Sequence, residues 1–268
     1  MTTPHNPKQN RLLAALPVAE FKRLSSHLEL VPMPQGESFH ESGGKVQHVY
    51  FPTTSVVSLQ YVTEHGAPAE IACVGKEGIL GIPLIMGGNT RPSRASVLTV
   101  GYAYKLKARL LMEEFNRAGS VRHMLLRYTQ ALITQTSQTA VCNRHHPLEQ
   151  RLCRWLLSVL DRAKPGELIF TRELAARVFG VGLEDVMEAV RELQQAGFIS
   201  YRRDRIAVLN RQGLEGHACE CYNVVRMEFD RLFGLDWIGT GGRCLRVSIH
   251  GQEPASMNQD ISPLKSLS

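Results

Sequence analysis

The sequence predicts an α+β chain: an N-terminal antiparallel β-roll of the jelly-roll kind, a long helix, and a C-terminal winged helix-turn-helix. Three observations predict it. Between about 30 and 106, short segments rich in Val, Ile, Tyr and Thr are punctuated by Gly, Pro and Asn; breaks at roughly 8–12-residue intervals suit a compact antiparallel barrel or roll. Residues 120–143 carry a seam of fours and threes, apolar at the start and polar later, which is a helix with one face set apart. The stretch TRELAARVFGVGLEDVMEAVRELQQAGFISYRRDRIAVLN, residues 171–210, reads as helix, glycine turn, helix and hairpin.

Composition bounds what the chain can be. Its 268 residues suffice for two ordinary domains, and 43% hydrophobic with 21% charged residues is a globular balance. The net charge of +6 permits nucleic-acid binding without demanding it, and an ordinary basic protein fits it equally well. No apolar run approaches the roughly 20 residues a membrane span needs. The start, MTTPHNPKQNR, has no apolar signal core. The expectation is a cytoplasmic protein without a membrane partner.

The six cysteines, Cys73, Cys142, Cys153, Cys219, Cys221 and Cys244, form no CxxC pair. Cys219 and Cys221 are close, but two-residue spacing on a helix points them to different sides. The expectation is small buried hydrophobes in a reducing compartment, with no metal site.

Along the chain, Leu12, Leu13, Leu16, Phe21, Leu24 and Leu28 recur at helical spacing, giving one or two short helices over 10–29 in which Pro17 can open the second. The strand-rich region follows, with Glu64-His65-Gly66 as a hairpin turn, and then a short helix over 107–116. On the long helix the seam runs Val121, Leu125, Tyr128, Leu132, Gln135, Thr139 and Cys142. A helix of this length outruns a small domain, so the seam reads as a dimerisation face; the alternative is packing against its own barrel. Pro147 sits at the start of LEQRLCRWLLSVLDR, whose stripe is Leu148, Leu152, Trp155, Leu156 and Val159. Pro165-Gly166 turns the chain into a brief strand at 168–170. One helix is expected over 212–233, and residues 234–268, rich in Gly, Ser and Pro, read as a mostly disordered tail.

In the winged helix, Thr171 can cap the first helix, Gly180 can take the left-handed turn, and Val186, Ala189, Val190 and Leu193 face inward on the second. The outward face is unusual for a helix meant to enter a major groove. Its acids are Glu184, Asp185, Glu188 and Glu192, against one base, Arg191. A carboxylate beside phosphates costs electrostatic energy and can read only a base-edge donor such as cytosine N4. Alternatively, Glu184 and Asp185 simply favour the positive end of the helix dipole. Arg202, Arg203 and Arg205 in the wing, with Arg172 and Arg177 on the first helix, can hold phosphates.

The layout, together with HVYFPTTSVVSL, VGKEGILGIPLIMGG, NRHHPLEQRLCRWLL and ECYNVVRMEFDRL, resembles the Crp/Fnr-type transcription regulators over about residues 10–233, in a branch without an assigned ligand. The resemblance implies a cyclic-nucleotide-binding-like sensor over 10–118, a dimerisation helix over 119–144 and a DNA-binding domain over 145–233. It implies a homodimer on a near-palindromic double-stranded operator, with an effector in the roll altering DNA affinity, and it allows RNA polymerase as a further partner.

Nucleotide-binding members use a Gly-Glu pair for the ribose, an Arg-Ser pair for the cyclic phosphate and a Thr-Ser pair against the base. The matching positions are Gly81-Ile82, Arg94 with Ala95-Ser96, and Thr136-Ser137. Ile82 cannot accept a ribose hydroxyl, so a cyclic nucleotide is the less favoured effector. The run of Gly75, Gly78 and Gly81 has neither dinucleotide nor Walker spacing. No cysteine precedes Cys73, which removes the family's N-terminal iron–sulfur mechanism. His27, His40, His48 and His65 could serve haem in number only, and no cofactor is assigned. In the second helix the family often has Arg-Glu and another Arg four residues on; here these are Leu183, Glu184 and Glu188, with Arg191 basic one turn later.

Two other readings stand beside a DNA-binding regulator. One is a ligand-binding or protein-interaction regulator whose acidic helix no longer reads DNA. The other is an enzyme using His145, His146 and Glu149 or Cys142; adjacent histidines on a helix point about 100° apart and no catalytic constellation assembles, so no enzyme is expected.

Overall fold

Alternation along the strands builds the roll. Val57 and Val74 turn to one side of their sheet, with Ala95 and Val97, while Ser58, Glu70 and Ser96 are buried on the other. The computed structural model describes residues 5–40, 46–64, 68–88, 93–163 and 168–234. Helices α1 (Arg11–Ala15) and α2 (Val18–Ser25) precede β1 (Glu29–Met33), β2 (Ser38–His40), β3 (His48–Pro52), β4 (Val56–Val62) and β5 (Pro68–Val74). The short α3 (Ile82–Ile85) leads to β6 (Arg94–Thr99) and β7 (Gly101–Lys107). One antiparallel sheet runs β1–β7–β3 and the other β2–β6–β4–β5. Met33, Val57, Val74, Ala95, Val97 and Ala103 fill the space between them. Of the expected turn at 64–66, His65 and Gly66 lie outside the described residues, as does the whole segment 235–268.

Asn10 joins the N-terminus to the roll. Its side-chain oxygen accepts from the amides of Leu12 and Leu13 at the start of α1. Its amide nitrogen donates to the Pro52 and Gly78 carbonyls at 2.9 and 2.8 Å. The side chain is fully buried and fully satisfied, a cap and a cross-link at once.

Helix α4 (Ala108–Asn116) leads into the 26-residue α5 (Ser120–His145). The Glu20 carboxylate of α2 accepts from the Ser120 and Val121 amides at 3.2 and 3.0 Å, placing a negative charge at the positive end of α5. The seam expected to face a second copy is turned inward. Val121, Leu125, Tyr128, Gln135 and Thr139 are buried within the chain itself, and only Leu132 is partly exposed. The first three join α1, α2 and the roll in one core cluster, so this face packs against its own barrel. The solvent-facing apolar residues of α5 are Leu126, Ile133 and Val141, at 47%, 51% and 44% exposure.

The C-terminal part comprises α6 (Leu148–Leu160), β8 (Leu168–Ile169), α7 (Arg172–Phe179), α8 (Leu183–Gln195), β9 (Ile199–Arg202), β10 (Arg205–Val208), α9 (Arg211–His217) and α10 (Cys221–Phe233). The single helix expected over 212–233 is two. Asn210 caps α9 by accepting from the Gly213 amide, and Ala218 leaves the helix with extended backbone. Cys219 therefore lies off the helix, and the argument that it and Cys221 face apart does not apply. Helix α10 returns along α5, where Val225, Phe229 and Leu232 join the cluster of Val121, Leu125 and Tyr128.

Replacing Asn10 with Ala should cost about 1–3 kcal/mol, since two backbone carbonyls and two amides lose a partner in a closed space. Urea unfolding at constant slope measures it; an unchanged midpoint would show that water replaces the side chain.

Candidate DNA-reading surface and sensor cavity

Helix α7 begins at Thr171, whose Oγ1 accepts from the Leu174 amide at 3.2 Å. Gly180, at φ 62°, makes the left-handed turn between α7 and α8. Val186, Ala189, Val190 and Leu193 anchor α8 in a core with Trp155, Leu156 and Phe170. Leu183 also packs against that core and is half-buried, so it is only partly available to a base edge.

The outward acids of α8 have separate surroundings. Gly182 precedes the helix, and an added Cβ there would meet Asp185 Oδ2 at 2.9 Å; the Asp185 carboxylate is folded back over the helix start, where the dipole favours it. Glu188 is paired with Arg191 at 2.7 Å. Glu184 is exposed and has no ion pair or side-chain hydrogen bond among the described residues. Two of the four acids are thus engaged on the helix itself; Glu184 and Glu192 are exposed without an ion pair among the described residues, and of these Glu184 stands at the leading edge.

The wing follows from turn chemistry. Arg202 pairs with Arg205 in the β9–β10 ladder, leaving Arg203 and Asp204 as a two-residue loop at φ 49° and 57°. A loop of this length needs positive φ at both positions to match the strand twist. Tyr201 donates its hydroxyl to Asp204 Oδ1 at 2.9 Å, and the Asp204 carbonyl accepts from the Phe170 amide at 2.8 Å. These bonds hold a conformation that L-residues otherwise resist. Arg202, Arg203 and Arg205 are all exposed. Arg172, also exposed, lies near enough to bear electrostatically on the Tyr201 hydroxyl, so the start of α7 and the wing are neighbours.

Within the roll, a cavity of about 160 Å³ opens between the inner face of β4–β6 and α5. Gly81 and Ile82 line it, with Leu59, Tyr61, Ile79 and Leu132. The other expected ligand residues do not. Ala95 lines the cavity, so its neighbours Arg94 and Ser96 project from the opposite face of β6. Arg94 is exposed and donates to Ser38 Oγ at 2.8 Å. Ser96 is buried against the same hydroxyl. Thr136 bonds back to its own helix at the Leu132 carbonyl, and Ser137 is exposed. Among the described residues, the lining holds no cation for a phosphate. A larger cleft of about 480 Å³ lies elsewhere, beside α6, α9 and α10. Most of its charges are already paired, Arg211 with Asp161 and Glu215 and Arg226 with Asp230.

The outer face of the same sheet carries α6. Trp155 donates Nε1 to Glu70 Oε1 at 2.8 Å, Ser58 donates to Oε2 at 2.5 Å, and the Cys73 thiol donates to Oε1 at 3.2 Å. Burial outweighs these donors and raises the Glu70 carboxyl above its ordinary value. Val56, Cys73 and Leu98 of the roll sit in one cluster with α6, α7 and α8. At the far end of α6, Arg162 forms a buried ion pair with Glu77 at 2.6 Å and donates to the Ser158 carbonyl. Sequence reasoning found none of these contacts, although a Glu and a Ser at alternate strand positions beneath a tryptophan-bearing helix are the type of signal that could have.

A winged helix-turn-helix docked on an antiparallel roll with a long helix between them defines the architectural class. Residues 150–216 match the family described as the Crp-like helix-turn-helix domain. The whole described body has the fold of Crp/Fnr-type regulators. FixK2 from Bradyrhizobium japonicum aligns at TM-score 0.61 and 17% identity, over 72% of this chain and 98% of its own. The c-di-GMP-responsive global regulator CLP of Xanthomonas campestris aligns at 0.58 and 15%, over 72% and 99%. A putative transcriptional regulator of the Crp/Fnr family from Eubacterium rectale aligns at 0.59 and 15%, over 78% and 98%. No curated protein sequence matches the chain. Among the described residues, no helix is long and apolar enough to cross a membrane.

The Glu70 seam makes an expectation with a sign. A carboxyl raised in the folded state contributes its full stability below its unfolded value and loses it as pH rises toward the folded value. Glu70→Gln keeps an acceptor for Trp155 without the charge, so its stability relative to the parent should grow as pH rises from about 4 toward neutrality. Glu70→Ala leaves the Trp155, Ser58 and Cys73 donors without an acceptor and should lose about 1–3 kcal/mol at low pH, the loss shrinking as pH rises. Parallel fall of parent and Glu70→Gln with pH would contradict the assignment.

Proposed function

We propose that the chain is a dimeric, sequence-specific DNA-binding regulator of transcription. The observation that carries this is the Crp-like helix-turn-helix match over residues 150–216, which includes the wing that presents Arg202, Arg203 and Arg205 outward. The arginines and Arg172 hold the phosphates of double-stranded DNA, and α8 lies in the major groove. With Asp185 turned to the helix start and Glu188 paired to Arg191, Glu184 is the unpaired acid in the first turn of α8, placed to accept from cytosine N4. Specificity then departs from family members with arginines at positions 183 and 188, while the mode of docking is kept.

Dimerisation uses the outward face of α5. Leu126, Ile133 and Val141 follow a helical repeat and are exposed, whereas the original seam residues are occupied inside the chain. Two such helices related by a two-fold axis place two winged helices on a near-palindromic operator. The effector cavity suits a small apolar molecule better than a cyclic nucleotide: it is about 160 Å³, against roughly 300–1,000 Å³ for drug-sized ligands. The protein acts by binding rather than by catalysis, with RNA polymerase at a nearby promoter as the partner through which binding is read out.

A second reading, a regulator that no longer reads DNA, is favoured by one observation: α8 carries four outward acids against one base. Binding to genomic fragments at several salt concentrations separates the two. The first reading expects selective binding whose affinity falls steeply with salt; equal binding to all fragments, or none, supports the second. Arg203→Ala should weaken binding evenly across sequences and reduce the salt slope by about one. Glu184→Gln should change preference at a single position of the site.

Sedimentation tests the dimer. Leu126→Glu with Ile133→Glu should yield folded monomers with weakened DNA binding. Retention of the dimer in that variant would place the interface elsewhere.

A further inference from the structure

We infer that Cys142, His146, Cys219 and Cys221 form a structural zinc site that fastens the end of α5 to the link between α9 and α10. The donor atoms of these four residues all lie within 4.8 Å of one another. Cys142 and Cys219 approach at 3.5 Å between sulfurs, and Cys221 Sγ is 3.6 Å from His146 Nδ1. With Zn–S near 2.3 Å and Zn–N near 2.0–2.1 Å, a tetrahedral centre needs edges of about 3.8 Å between sulfurs and about 3.6 Å between sulfur and nitrogen. Two of the six edges stand within a few tenths of an ångström of those separations, and the rest lie within 4.8 Å, so small side-chain rotations close the tetrahedron.

Each donor is placed by an identifiable backbone feature. Cys142 lies in the last turn of α5 and His146 is the C-cap that follows it; the His146 amide closes that turn onto the Cys142 carbonyl at 3.1 Å, which holds the imidazole beside the Cys142 sulfur. Cys219 lies in the extended link after α9, and Cys221 is the first residue of α10. The break between these helices turns both sulfurs toward α5. Cys142 and Cys221 are fully buried and Cys219 nearly so, and together they make a cluster separate from the apolar cores.

Two further observations point to a metal rather than to three packed thiols. First, the far nitrogen of His146, Nε2, faces Glu220 Oε1 at 3.2 Å. A carboxylate behind a ligating imidazole fixes its tautomer and aims the other nitrogen at the metal. Second, Arg151 and Arg154 of α6 are buried, their Nε atoms have no hydrogen-bond partner, and both bear electrostatically on the Cys142 sulfur. Buried guanidinium groups need a negative counterpart. Zinc(II) with three thiolates and a neutral imidazole carries one net negative charge, which supplies it. On binding, three S–H protons pass to solvent as three Zn–S bonds form, and His146 donates a lone pair. Three sulfurs and one nitrogen in a closed site favour zinc over oxygen-seeking cations, and leave no open position for catalysis.

The test uses the full chain, purified under reducing conditions without chelator. Elemental analysis should find one zinc per chain. Replacing it with cobalt(II) should give the intense visible bands of a tetrahedral site and a thiolate-to-metal charge-transfer band. Cys219→Ser should abolish the charge-transfer intensity contributed by that sulfur and lower metal affinity at least tenfold. Glu220→Gln, on the exposed side of the imidazole, leaves all four donors in place and should lower affinity about 10–100-fold. Cys244→Ser should change nothing. Reduced parent protein that holds no zinc and gives no cobalt charge-transfer band overturns the site. So does a cobalt spectrum identical in the parent and in Cys219→Ser.

Discussion

The bond from the Trp155 indole to the buried Glu70 carboxylate, 2.8 Å long, fixes where the rest of the C-terminal part can lie. A carboxylate removed from water needs donors on both oxygens, and here they come from the roll, as Ser58 and Cys73, and from α6, as Trp155. Trp155 also packs against Phe170 and Phe179, at ring separations of 5.6 and 6.0 Å. Those rings carry β8 and α7, and α7 carries α8. The position of α8 is therefore set through a short chain of packed groups that ends on a strand of the roll. The Glu77–Arg162 pair holds the other end of α6, and α10 closes the assembly by returning along α5.

One sheet serves both ends of this chain. On its inner face Leu59 and Ala95 line the small cavity. On its outer face, one residue away on the same strands, Ser58 meets Glu70 and Ser96 meets Ser38. Successive side chains on a strand point to opposite faces, so the cavity and the seat of α6 lie back to back on the same strands. The polar stripe of Ser58, Gln60, Glu70 and Ser96 is buried because a helix covers a sheet face that would otherwise be wet.

Much of the fold was legible in the sequence because local chemistry and periodicity agree there. Thr171 and Gly180 punctuate the winged helix, and the inward positions of α8 lie on one stripe. The face of α5 was not legible. Val121, Leu125 and Tyr128 step by four and three, but so do Leu126, Ile133 and the residues between them and Val141, and period alone does not say which stripe meets its own chain. The polar tail of the first stripe, Gln135 and Thr139, was the clue: buried, these residues bond within the helix or sit beneath neighbours, as Thr139 does with the Gln135 carbonyl. The phosphate residues Arg94 and Ser96 were misplaced for a similar reason. Matching by spacing finds the strand, while the pleat decides the face. The convergence of Cys142, His146, Cys219 and Cys221 was hidden by a helix boundary. Read as one helix, 212–233 sends Cys219 and Cys221 apart; broken at Ala218, it brings them together.

The central claim is that the winged helix-turn-helix is seated on the roll through the Glu70–Trp155 contact rather than tethered beside it. Hydrogen exchange of the native protein tests this most directly, comparing parent and Trp155→Phe. The account predicts that amides of α6 and of β4 and β5 lose protection together in the variant, while those of β1 and β7 on the opposite sheet keep theirs. Loss confined to α6, with β4 and β5 unchanged, would contradict it.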